Sequence, residues 1–247
     1  MKITFQPTDR FAEEAREPSH FPNSRPRDAA TLILIDRAGA VPKVLLGRRH
    51  HGHKFMPGKF VFPGGRVEPS DRLMPAGTPL APAVEAKLMQ ETPRASAIKA
   101  RTFALAAIRE TFEETGLMLG AKRAEAPAVP EGPWTAFAQA RVHPDLAAIH
   151  FIARAVTPPR RARRFDTRFF AADANLIAHR IDGVVGPNAE LVELVWLPIT
   201  KAKRLELASI TKVILEDLEA QISEGFSQHL PIPFYRMHRN KRVCSML

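Results

Sequence analysis

The stretch Arg109-Glu-Thr-Phe-Glu-Glu-Thr-Gly-Leu117 decides how this chain is read. On a helix, Glu110, Glu113 and Glu114 fall within a narrow arc of one face. Three carboxylates held together repel one another and weaken the helix that carries them. Arg109 offsets part of that repulsion, but one guanidinium does not neutralise three carboxylates. A hard divalent cation such as Mg²⁺ does, because it prefers oxygen ligands. Leu105, Ile108 and Phe112 lie on the opposite face for burial, so the helix is amphipathic with an acidic side. Thr102 is read as its cap, the helix running to Thr115. Gly116 stands where a helix end wants a residue tolerant of positive φ.

Working outward, Pro63-Gly64-Gly65 follows a short strand reading at Lys59–Phe62, and glycines there let backbone approach a ligand or another element closely. Residues 29–36 (AATLILID) read as a buried strand, and Lys43–Gly47 as a second that pairs with it as a hairpin. Further strands are expected at Ala147–Val156, Phe165–Ala171 and Leu191–Leu197. Residues 82–91 read as a short amphipathic helix. Lys201–Glu224 reads as one long helix, from the spacing of Leu205, Ile210, Val213, Ile214, Leu218 and Ile222. The simplest organisation is one α/β domain over residues 29–230. It is preceded by a polar leader (1–28), interrupted by an inserted segment (72–101) and followed by a basic tail (231–247).

The chain has 247 residues, ample for a sizeable core. Its 45% hydrophobic and 25% charged content excludes a wholly disordered or collagenous chain. One cysteine, Cys244, excludes a disulfide framework and a cysteine-built metal site. The apolar runs are too short to span a bilayer, and Met1–Asp28 carries no apolar signal core. A soluble cytoplasmic protein with no membrane partner is expected.

The net charge of +10 is concentrated. Arg160, Arg161, Arg163, Arg164 and Arg168 surround one acid, Asp166, and Arg236, Arg239, Lys241 and Arg242 have none among them. The two clusters hold +8 of the excess. With 7% aromatic content and no nucleic-acid-binding module, a nucleic acid is not the expected partner. His50, His51 and His53 read as loop surface or phosphate contacts rather than a zinc site.

Together these residues resemble the Nudix hydrolases, whose signature is Gly, five residues, Glu, seven residues, then Arg-Glu-apolar-any-Glu-Glu-any-Gly-apolar. Gly65, Arg109, Glu110, Glu113, Glu114, Gly116 and Leu117 match it. Thr111 replaces the apolar residue, Asp71 replaces the first Glu, and 30 extra residues lengthen the spacer before Arg109. An enlarged spacer at this place is similar to a branch related to the peroxisomal coenzyme A diphosphatases of animals. Val44–Arg49, Gly52–Gly58, Val61–Gly65 and Arg163–Phe170 resemble that branch as well, and Glu193–Pro198 resembles the closing strand of many Nudix proteins.

The resemblance implies an α/β/α sandwich, a mixed sheet between helices with the insertion inside the box. It implies Mg²⁺ or Mn²⁺ held by Glu110, Glu113 and Glu114, with Arg109 orienting a glutamate. A box glutamate or Glu190 serves as general base. Gly64, Gly65, Asp71 and Gly116 shape and support the loop. The partner implied is a small molecule linked to a nucleoside diphosphate, and the assembly state is compatible with a homodimer. In the leading reading, coenzyme A or acyl-coenzyme A is cleaved to 3′,5′-ADP and (acyl-)phosphopantetheine. Its roughly four negative charges would meet Arg48, Arg49, Arg163, Arg164 and Arg168. The alternatives are a Nudix pyrophosphatase for ADP-ribose, a dinucleotide or a nucleoside triphosphate, and a catalytically weak module that binds nucleotide or RNA.

Overall fold

The computed structural model describes residues 6–7, 10, 21–52 and 56–247. In chain order the strands and helices are β1 (Gln6–Pro7), β2 (Arg27–Asp36), β3 (Lys43–Arg49), β4 (Phe60–Val61), β5 (Gly64–Arg66), α1 (Pro69–Leu73), α2 (Pro82–Met89) and α3 (Ala97–Thr115). They continue as β6 (Leu117–Leu119), β7 (Ala121–Lys122), α4 (Thr135–Ala140), β8 (Val142–His143), β9 (His150–Val156) and β10 (Phe165–Asp173). The last are β11 (Ile177–Arg180), β12 (Leu191–Pro198), α5 (Ile199–Ala202), α6 (Ser209–Ser223), β13 (Pro233–His238) and β14 (Lys241–Met246).

Most strands join one mixed sheet of order β1-β14-β13-β9-β10-β2-β3-β12, with β5 beside β2 and β4 beside β3. β2 explains the layering. Its side chains alternate between faces. Leu32 and Leu34 pack with Phe103, Ala107 and Ile108 of α3. Ile33 and Ile35 pack with Val213, Ile214 and Leu218 of α6. An apolar run with no polar face is what a strand covered by helices on both sides requires. The result is the α/β/α sandwich with a mixed sheet.

Four sequence expectations change. α3 starts at Ala97, because the Ser96 hydroxyl accepts from the Lys99 amide at 3.1 Å. Thr102 lies inside the helix, and its hydroxyl donates back to the Ile98 carbonyl at 2.7 Å, a local bond that competes with capping. The expected helix over 201–224 is two helices, α5 and α6, separated where the Phe60 amide donates to the Glu206 carbonyl at 3.0 Å. β2 begins at Arg27, inside the segment read as leader. Residues 231–247 are not a tail. β13 and β14 pair with each other, and β13 adds in parallel to β9 through Phe234 and Tyr235. Ile232, Phe234, Tyr235, Val243 and Leu247 are buried there.

The inserted segment is bolted to the sheet. Leu80, Val84 and Leu88 enter the α3-side core. Opposite residues of β9 and β10, Arg154 and Arg168, form the second anchor. Arg154 clamps Asp166 with two bonds of 2.8 and 2.7 Å and donates at 3.3 Å to the carbonyls of Gln90 and Glu91, which follow α2. The Arg168 guanidinium lies 3.9 Å from the centre of the Phe103 ring.

Candidate active site

The acidic face of α3 ends at a glycine cap. Gly116 has φ of +75°, and a Cβ there would lie 2.1 Å from the Ile181 carbonyl oxygen, so only glycine fits the exit. About two turns earlier, Arg109 is almost fully buried and acts as a hub. Its Nε donates to Asp71 Oδ1 at 2.7 Å and its Nη2 to Asp71 Oδ2 at 3.0 Å and to the Arg66 carbonyl at 2.7 Å. Its Nη1 donates to Glu110 at 3.0 Å and to Glu113. Asp71 is wholly buried and also accepts the Glu68 amide at 2.8 Å. The shorter Asp thus ties α1, the strand β5 and the box helix together through one guanidinium.

Gly64 and Gly65 form the window through which α3 presents its carboxylates. A Cβ on Gly65 would sit 2.4 Å from Glu110 Oε2, and one on Gly64 would sit 2.7 Å from the Ala30 carbonyl. The Gly64 amide donates to Glu114 Oε2 at 3.2 Å. Burial is the main force on the acidity of these groups. It pushes Glu110 up to about 7, against the opposing pull of Arg109 and with help from Glu113 and Asp71. Burial also lifts Glu113, partly offset by Arg109. Glu114 is held well above the usual range by burial and by the charges of Glu190 and Glu110, which the Gly64 bond only partly offsets.

The window opens into a cavity of about 680 Å³ lined by Glu68, Glu110, Glu114, Glu190 and Arg49 among others. Arg49 holds Glu190 at 2.8 Å. Among the described residues, no three His, Cys, Asp or Glu side chains already converge on one point. Glu113 is drawn to Arg109 and is not part of the cavity wall. The donor chemistry nevertheless fits Mg²⁺ or Mn²⁺. Glu110, Glu114 and Glu190 border one space, the charges of Glu110 and Glu190 raise the proton affinity of Glu114, and all three offer oxygen only, which a hard divalent ion favours.

The structure separates the arginines. Arg49 and Arg163 line the cavity. Arg48 does not, because successive strand residues face opposite ways. It pairs with Glu193, its cross-strand neighbour, at 2.7 Å. Arg164 closes its own loop, donating to Thr157 and Pro158 carbonyls at 3.2 and 3.0 Å and to Asn23 at 2.8 Å. Arg168 is fully buried and bonded to Asp28 at 2.8 Å. Neither Arg164 nor Arg168 is placed to meet a ligand, and both are corrections to the sequence reading. His53 lies outside the described residues.

Arg161, within the basic cluster read from the sequence, lines the cavity too, and so do Arg242, Tyr235 and Glu68, which were not expected there. Glu68 sits three residues from Asp71 and could have been found. Tyr235 and Arg242 join through sheet pairing far along the chain and leave no local signal.

No family model matches the chain. Solved structures do. A Nudix hydrolase from Alicyclobacillus acidocaldarius is 29% identical with a TM-score of 0.60, over 81% of this chain and 96% of that one. The Nudix domain of Shewanella oneidensis NrtR, solved with ADP-ribose, is 15% identical with a TM-score of 0.45, over 87% and 99%. An Ap4A hydrolase from C. elegans is 14% identical with a TM-score of 0.41, over 80% and 99%.

A mixed sheet lies between helix layers, with a glutamate helix docked on a Pro-Gly-Gly strand end. Fold, box and the Alicyclobacillus neighbour place the chain with the Nudix hydrolases, as an enzyme of the Nudix diphosphohydrolase class.

Proposed function

We propose that the protein hydrolyses the diphosphate bond of coenzyme A or acyl-coenzyme A, giving 3′,5′-ADP and (acyl-)phosphopantetheine. One observation carries the reading. Glu110 and Glu114 reach a cavity through the Gly64–Gly65 window, and that same cavity has an arginine, Arg163, and an apolar wall of Val156, Phe165 and Phe169. An acidic site for a metal-bound diphosphate, a cation for a further phosphate and apolar surface for an acyl arm suit such a substrate.

Glu110 and Glu114 would hold Mg²⁺ or Mn²⁺, with Glu113 joining when it leaves Arg109. A bound divalent ion neutralises diphosphate charge and acidifies water. Arg109 keeps the glutamates aimed, because its other bonds fix it to Asp71 and the Arg66 carbonyl. Glu190, held by Arg49 beside Glu114, would take the proton of the attacking water. The carboxylates also repel a bare diphosphate, so unassisted binding at this end is weak.

The test is turnover with Mg²⁺ or Mn²⁺ across coenzyme A, acyl-coenzyme A, ADP-ribose, NADH and nucleoside triphosphates. The expected outcome is preferred release of 3′,5′-ADP from coenzyme A or its thioesters. Equal or better kcat/KM on ADP-ribose or a nucleoside triphosphate overturns the substrate and leaves the Nudix chemistry. Glu190→Gln should lower kcat by about 10²–10⁴ if it is the base. An unchanged kcat removes it from that role.

A further inference from the structure

The floor of the cavity follows one row of the sheet. Arg66 of β5 pairs with Ala29 of β2, Ala29 with Thr167 of β10, Thr167 with Ala155 of β9, and Ala155 with Tyr235 of β13. Ala29, Thr167, Ala155 and Tyr235 all line the cavity. Small side chains in the middle of the row leave a trough on the α6 side of the sheet. From β5 to β13 there are four strand spacings of about 4.8 Å, so the trough runs roughly 19 Å.

Its two ends carry opposite charge. At the β5 end stand Glu110, Glu114, Glu68 and Glu190, four carboxylates against two arginines, Arg49 and Arg66. At the other end, Arg161 and Arg163 come from the loop joining β9 to β10, and Arg242 comes from β14. The register brings these segments together. Tyr235 is level with Ala155, so Met237 is level with the start of that loop at Thr157, and Arg242 is the cross-strand partner of Met237. Cross-strand partners share a face, which puts Arg242 on the trough side with Met237 and Tyr235.

We infer that Arg161, Arg163 and Arg242 form a subsite for a second phosphate, carried by the substrate away from the diphosphate that is cleaved. This deepens the coenzyme A reading and rests on it, but it assigns the C-terminal hairpin to substrate recognition. Two arms of the chain converge there, the loop with Arg161 and Arg163 and the strand with Arg242, which lie 81 and 79 residues apart in sequence. Guanidinium forks suit a phosphate dianion better than an ammonium does. A substrate ending at its diphosphate would not reach across the trough to these arginines. The subsite therefore selects nucleotides that carry an extra phosphomonoester, on the ribose or at a comparable reach.

Calorimetric titration of the full chain with adenosine 3′,5′-bisphosphate and with 5′-AMP tests this without turnover. The wild type should bind the bisphosphate at least tenfold more tightly. Arg242→Gln and Arg163→Gln should each shrink that ratio below about threefold, while Arg242→Lys should keep part of it. Melting temperatures within a few degrees of wild type show that the variants fold. A wild-type ratio near one, or a ratio unchanged in both Gln variants, overturns the subsite.

The coenzyme A reading fails separately. An enzyme that ignores coenzyme A but cleaves NADPH in preference to NADH keeps the subsite and loses that substrate. One that cleaves coenzyme A and 3′-dephospho-coenzyme A equally keeps the reaction and loses the subsite.

Discussion

At the scale of single residues, absence of a side chain does as much as its presence. Gly65 has ordinary backbone angles for any residue, since its φ is not in the left-handed region. Its missing Cβ is where the Glu110 carboxylate lies. Gly65→Ala should therefore fold, because the atom it meets is the far end of a flexible glutamate. It should displace that glutamate and cut kcat by about tenfold or more, with a melting shift of only a few degrees. A large melting shift with intact kcat would show the glycine to be structural only.

Glu110 adds a pH signature. Its folded pKa is raised from 4.5 to about 7, mainly by burial. The proton is bound more tightly in the folded state, so the stabilisation is full below about 4.5 and is lost as pH rises through about 7. In chelator, the urea midpoint should fall from pH 5 to pH 8, by a free energy of up to roughly 3 kcal/mol. Mg²⁺ should restore part of it at the higher pH by replacing the proton. Glu110→Gln should flatten the profile. A midpoint that rises over the same interval in the wild type would contradict the assignment.

At the scale of elements, what could be read in the sequence was what neighbouring residues settle among themselves. The glutamates, Gly116 and the glycine pair declare the box because helix periodicity and turn chemistry are local. The strands at 29–36 and 191–197 were visible because their apolar runs have no helical spacing. The hairpin of β13 and β14 was not, since its basic residues read as a solvated tail. Only pairing with β9 shows otherwise. The same holds for the arginines. Nothing near Arg168 in the chain announces that Asp28 neutralises it, or that Phe103 from α3 covers it. The hairpin is testable as an element. Ile232, Phe234, Tyr235, Val243 and Leu247 are each under 9% exposed. Burying such side chains contributes about 1.5–3 kcal/mol apiece, and together they rival the 5–15 kcal/mol of a whole domain. Truncation after Leu230 should abolish the cooperative melt and drive the protein into the insoluble fraction. A truncated chain that melts as the full one does would restore the tail.

At the scale of the whole molecule, the charge of +10 and the trough act on one event, the arrival of a polyanion. The glutamate end repels an approaching diphosphate until a cation covers it, so the long-range attraction comes from the arginine end and the basic surface around it. Such attraction is felt over a Debye length, about 30 Å at 0.01 M salt and about 8 Å at 0.15 M. The first exceeds the roughly 19 Å of the trough and the second does not. Salt should thus weaken capture before it disturbs contacts formed inside the cavity, where water is thinned and screening is poor. For a fourfold-charged substrate at saturating Mg²⁺, kcat/KM should drop several-fold from 10 to 150 mM KCl, while kcat changes less than twofold. The drop should be smaller for ADP-ribose, which has fewer charges. A parallel fall in kcat and kcat/KM would place the salt effect on the metal site. Equal slopes for both substrates would mean that the positive excess does not steer the ligand.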